Sequence, residues 1–136
     1  MEMPESLNYS CSWREYAERH YAKVFSKKYK AGWLQTRDTI DEVCKRIDSM
    51  LAYARADLIA THKQYKIVKL DFAIAGTKIS AKASGNRCIL FVDEAVRHVE
   101  ILLAYSKNDI GPPNETAKWQ LLIKKQYPEI MKLIPL

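Results

Sequence analysis

The sequence predicts an α+β fold: a helix-rich first half, a meander of strands and a C-terminal helix. Three observations predict it. Apolar residues from Ile40 to Ala54 recur at three- and four-residue spacing, which is the stripe of an amphipathic helix. After Thr61 the period drops to two, the signature of a strand with one buried face. Trp119, Leu122, Ile123 and Tyr127 then return to helical spacing. The 136 residues are expected to form a single domain spanning 1–136, long enough to close a core unaided.

Taken in order, residues 1–12 are polar and are expected to form a loosely ordered lead-in. The next stretch admits two readings: Trp13, Ala17, Tyr21 and Val24 fit a helical stripe, while "HYAKVF" reads equally as a short strand. Thr36 suits an N-cap and Asp38 a first helical turn. The helix that follows buries Ile40, Val43, Cys44, Ile47, Met50, Leu51 and Ala54, with charged residues opposite. Next comes a strand in which Lys66, Val68, Leu70, Phe72 and Ile74 alternate with Tyr65, Ile67, Lys69 and Asp71. Residues 76–86, "GTKISAKASGN", read as a long hairpin connection. "RCILFV" is apolar on both faces, as a central strand requires. "DEAVR" turns the chain into "HVEILLAYS", and so short a connection favours antiparallel neighbours. The tail is helical and ends at Pro128.

Composition excludes several classes. Hydrophobic residues make up 48% and charged residues 28%, as in globular domains. No apolar stretch approaches the roughly 20 residues of a membrane span. The N-terminus lacks a basic and an apolar region, so no signal peptide is visible and a cytoplasmic protein is expected. Cys11, Cys44 and Cys88 are scattered, with no C-x-x-C, so neither a disulfide framework nor a zinc site is supported. Cys44 and Cys88 sit among apolar neighbours and read as small core residues. The formal net charge of +6 favours anionic partners.

Three segments resemble the RelE/ParE superfamily of small bacterial toxins, and its RelE/HigB-like branch in particular. "VFSKKYKAGWLQTRDTIDEVCKRI" is similar to a first strand running into a helical pair. "YKIVKL" followed by "GTKISAKASGNRCILFV" resembles a lysine-bearing strand, a Gly/Ser-rich turn and an arginine-started central strand. "VEILLAYSKNDI" resembles the last strand of that branch. The resemblance covers roughly residues 20–125, with the lead-in and the tail outside it. It implies a small antiparallel sheet meander packed against an N-terminal helical pair, with a C-terminal helix.

The resemblance also implies chemistry: a ribosome-associated mRNA endoribonuclease, the toxin of a type II toxin–antitoxin system, paired with an acidic antitoxin. In this chemistry the ribose 2′-hydroxyl attacks the adjacent phosphate, leaving a 2′,3′-cyclic phosphate, with no metal or cofactor. Cationic side chains stabilise the charge gained in the transition state. Arg87 matches the arginine at the scissile phosphate, where a forked guanidinium binds two oxygens at once. Lys69 and Lys66 lie where the family's lysines occur, and their spacing puts them on opposite faces of a strand. Lys69 shares the face of Tyr65, Ile67 and Asp71 and is the favoured catalytic lysine. Lys82 matches a basic turn position, and Lys107 the basic residue that ends the last strand. Tyr105 could stack on a base, but sharing a face with Leu103 and Ile101 it reads first as core packing. If the last two strands form a hairpin, Arg87 and Lys107 meet at one end of the sheet. The family's C-terminal tyrosine or histidine acid finds no match, since Tyr127 precedes a proline. The alternatives are a ParE-like gyrase inhibitor without nuclease chemistry, or a basic module that binds nucleic acid or protein.

Overall fold

A computed structural model describes residues 8–136. Its centre is a five-stranded sheet in the order β1-β5-β4-β3-β2. The strands are β1 (Ser10–Trp13), β2 (Asp57–His62), β3 (Tyr65–Asp71), β4 (Arg87–Asp93) and β5 (His98–Tyr105). Strands β2 to β5 pair antiparallel, and β1 runs parallel to β5 at the far edge. The meander β3-β4-β5 is the one the alternation and the short "DEAVR" turn predict.

The helices are α1 (Glu15–Ala17), a π-helical turn over Glu18–Ala22, α2 (Lys23–Tyr29), α3 (Ala31–Lys45) and α4 (Ile47–Ala52), followed later by α5 (Ala81–Ser84), α6 (Glu115–Gln126) and α7 (Pro128–Leu133). One face of the sheet carries Val68, Leu70, Cys88, Leu90, Val92 and Ala104, all buried against the N-terminal helices. The contacts there are aromatic: Trp33 meets Trp13 edge-on at 5.8 Å, and Phe25 stacks on Trp33 at 4.9 Å. The opposite face carries Ile67, Ile89, Leu103 and Tyr105, and α6 and α7 close over part of it. Tyr127, buried at the start of α7, donates its hydroxyl to the Leu102 carbonyl at 2.7 Å.

Several expectations need correction. The helix expected from Thr36 to Ala54 breaks at Arg46 into α3 and α4, β3 ends at Asp71 rather than Ile74, and Pro128 opens α7 rather than closing the tail. The lead-in at 1–12 extends too far: residues 1–7 lie outside the described residues, but Ser10–Trp13 forms β1 on the edge of β5. The first strand is therefore this one, not "HYAKVF". That stretch is helical, because Ala17, Tyr21, Ala22 and Phe25 all fall on one buried side. Thr36 is not an N-cap; α3 starts at Ala31, and Thr36 is buried inside it. Its hydroxyl donates to the Gly32 carbonyl at 2.7 Å and accepts from the Ala75 N–H at 2.8 Å, pinning the chain after β3 to the helix. Finally, β2 is an element the periodicity did not reveal, a short edge strand that buries no residue fully.

A bulge refines the last strand. Ile89 pairs with Leu103 while Leu90 pairs with Ile101, so Leu102 is the extra residue. Ile101 thereby turns to the face opposite Leu103 and Tyr105, contrary to strict alternation.

Candidate functional site

The region where β4 begins and β5 ends is built by the turn before Arg87. Ser80 caps α5 by accepting from the Ala83 N–H at 3.2 Å. Gly85 closes it with φ 76°, a left-handed conformation that favours glycine. The Ser84 hydroxyl lies 2.8 Å from the Phe72 carbonyl and accepts from the Asn86 N–H at 3.0 Å, tying the turn to the end of β3. Arg87 then enters β4 opposite Asp71 on one side and Tyr105 on the other. All three project from the same face.

The Arg87 guanidinium is engaged by three groups of the protein. Its Nε lies 2.9 Å from Asp71 Oδ1, Nη1 donates to the Asn86 carbonyl at 3.1 Å, and Nη2 donates to the Lys82 carbonyl at 3.3 Å. The side chain keeps 15% of its exposure against 30% for Asp71. Asp71 Oδ1 is itself buried and accepts no aligned hydrogen bond, so the pair is held by charge more than by hydrogen-bond geometry.

Lys107 comes from beyond the end of β5 and lays its methylenes over Gly85. A Cβ at that glycine would sit 2.7 Å from the Lys107 Cβ, so no larger residue fits beneath the lysine. The same lysine lines a cleft of about 190 Å³ with Lys28, Tyr29, Asn86, Ser106 and Asn108. Lys28, Lys82 and Lys107 are exposed, and among the described residues none of them forms an ion pair. Lys28, in α2, is a site cation that sequence reading did not single out. Its only available signal was the Lys-Lys-Tyr-Lys run at the end of α2.

The other candidates divide. Lys69 shares the face of Arg87, one side-chain repeat from Asp71 along β3, about 7 Å away. Lys82 contributes its carbonyl to Arg87 and leaves its ammonium exposed. Lys66 does not belong to the site. It lies on the opposite face, pairs with Val92 toward the other end of the strand, and is bound to Glu94 at 3.1 Å. Tyr105 is fully buried and its hydroxyl donates to Glu115 at 2.8 Å, so its ring offers no face to a base. Burial, with the Glu115 carboxylate adding to it, raises the phenol well above its usual range, while Arg87 opposes the shift. Burial likewise raises Tyr127.

The histidines stand elsewhere. His98, at the start of β5, has Ser10 Oγ 2.6 Å from Nδ1 and Ser12 Oγ 2.8 Å from Nε2. It ties β1 to β5 at the end of the sheet away from Arg87. His20 packs on Tyr16 with ring centroids 4.3 Å apart. Cys44 and Cys88 are fully buried, as expected of core residues, and both thiols are raised, Cys44 by its hydrogen bond to Cys11 and by burial, Cys88 by burial. Among the described residues no group of three or more His, Cys, Asp or Glu side chains is arranged to hold a metal ion, and no helix is long and apolar enough to cross a membrane.

What the site offers chemically is fixed positive charge on a rigid strand end. An anion entering the cleft would meet Lys28 and Lys107; Arg87 does not line the cleft and projects with Asp71 from the opposite face of the sheet.

No family model matches the chain. No curated protein matches it either. Among solved structures it is similar to the archaeal RelE–RelB complex from Pyrococcus horikoshii OT3, with 10% identity, 74% of this chain and 96% of that chain covered, and a TM-score of 0.46.

Proposed function

We propose that this chain is a RelE-type toxin that acts on RNA through the cationic end of β4 and β5, and that an acidic antitoxin neutralises it. The observation that carries the reading is that Arg87, Lys82 and Lys107 all flank the turn before β4, Lys107 also facing Lys28 across a cleft. The sequence resemblance over residues 20–125 supports the same reading. In it, the RNA phosphate takes the place of Asp71 on Arg87, and Lys107 and Lys82 contact flanking phosphates. Lys69, on the same face, is assigned to the ribose 2′-hydroxyl. Attack of that hydroxyl on phosphorus breaks the bond to the 5′-oxygen and gives a 2′,3′-cyclic phosphate and a 5′-hydroxyl, the proton lost from the 2′-hydroxyl being made up on the leaving oxygen. mRNA on the ribosome is the proposed substrate and the cytoplasm the proposed location.

A second reading, binding without cleavage, is favoured by a different observation. Arg87 is already engaged by three protein partners, and the phenol paired across from it, Tyr105, is buried and donates its hydroxyl to Glu115. On this reading the chain is a non-enzymatic inhibitor that grips nucleic acid or a gyrase-like target.

Induced expression separates the two. The nuclease reading expects translation arrest with mRNA fragments ending in 2′,3′-cyclic phosphate, and Arg87→Ala relieving the arrest while the protein stays folded. Arrest with intact mRNA would replace it by the second reading, and DNA breaks would single out the gyrase form of that reading.

A further inference from the structure

The sheet is incomplete along the outer side of β3. Strand β2 pairs with β3 only from His62↔Tyr65 to Asp57↔Lys69, leaving the last part of β3 uncovered. The ladder alternates: Phe72 N–H donates to the Asn86 carbonyl on the β4 side, so the main-chain groups of Asp71 and Ala73 point the other way. A hollow of about 370 Å³ lies along this uncovered stretch, and Ile40, Val43, Met50, Leu70 and Phe72 form its apolar lining. Its far end continues through Met50 and Arg55 into a second hollow of about 280 Å³, lined also by Arg46 and by Tyr53, which is 76% exposed. Among the described residues neither Arg46 nor Arg55 forms an ion pair.

These features specify an occupant. Outward-facing main-chain groups call for an extended backbone. The apolar floor takes every second side chain of such a segment. Two unpaired guanidinium groups at one end call for a carboxylate. The acids nearby do not cancel this demand: Asp71 lines the hollow, but its carboxylate is held 2.9 Å from Arg87 Nε, and Glu42 is bound to Lys45 at 3.1 Å. We infer that the groove beside Leu70–Ala73 binds a short extended segment of an acidic partner protein, which extends the sheet beyond β2 and places a carboxylate on Arg46 and Arg55. The site is separate from the RNA cleft, and peptide binding is measured without RNA, so it stands or falls independently of the proposed activity.

Short random peptides displayed on phage are selected against the purified full chain, and the recovered peptides are synthesised. The expected sequences alternate apolar residues and carry an Asp or Glu at one end. Arg46→Glu with Arg55→Glu, both on the surface, should weaken them at least about tenfold. Hydrogen exchange should show the Asp71 and Ala73 amides newly protected in the complex. Failure to recover such peptides, binding indifferent to the charge reversals, or unchanged exchange at those two amides would each overturn the inference.

Discussion

Arg87 Nε lies 2.9 Å from Asp71 Oδ1, across the first pair of the β3–β4 ladder. The cation best suited to a phosphate is thus already balanced by a carboxylate of the same chain. On the proposed function, an entering phosphate must compete with that carboxylate for Arg87, and this competition limits how tightly this end of the sheet would hold RNA.

Asp71→Asn should therefore strengthen binding of single-stranded RNA, by about 3–10-fold at low salt, because one repulsive charge is removed beside the phosphate. It should also lower stability by about 1–3 kcal/mol, since it leaves a mostly buried arginine without its counter-charge. Fluorescence anisotropy with a labelled oligonucleotide and urea denaturation read the two effects on the same protein.

Lys107→Ala should leave stability within about 0.5 kcal/mol, as expected of an exposed charge. It should reduce the slope of log affinity against log salt by about 0.7, the loss of one phosphate contact on a single strand. Lys28→Ala should act the same way if both lysines line one anion path, and a slope that does not move would remove either residue from it.

Gly85→Ala should destabilise the protein by about 1–2 kcal/mol. The new methyl must adopt a positive φ and also enters the space of the Lys107 methylenes. Because the clash falls on Lys107, RNA affinity should fall with stability.

Alkaline pH tests the buried phenols. Tyr105, Tyr127 and Tyr21 are all raised by burial, and Tyr9 is pushed up to about 12. The unfolded chain ionises its tyrosines near pH 10 while the folded chain keeps these protonated. Below that pH their contribution is complete. Above it the unfolded state binds fewer protons, so stability falls as pH rises. Each such tyrosine adds up to about 1.4 kcal/mol per pH unit to the slope, and Tyr105→Phe should remove one share.

Much of this was legible in the sequence because strand parity is a local rule. Two-residue alternation placed Lys69 and Asp71 on one face of β3 and Lys66 on the other. The short "DEAVR" turn placed Arg87 and the end of β5 together. What escaped depended on contacts distant in sequence. Cationic spacing cannot show that Asp71 holds Arg87, or that Glu94 holds Lys66, because those partners are chosen by the fold. The bulge at Leu102 breaks parity where no residue type announces it. β2 lacks a two-residue alternation, and β1 alternates over only four residues, too few to stand out, because each is a short strand at an edge of the sheet.

Direct RNA binding by a paired variant tests the central claim that the end of β4 and β5 is the anion site. Anisotropy titration of a single-stranded RNA is compared for the parent chain, for Arg87→Ala with Lys107→Ala, and for Lys45→Ala, whose lysine is spent on Glu42. The account expects the double variant, shown folded by circular dichroism, to lose at least about tenfold in affinity while Lys45→Ala binds as the parent does. Equal affinity for all three would contradict it.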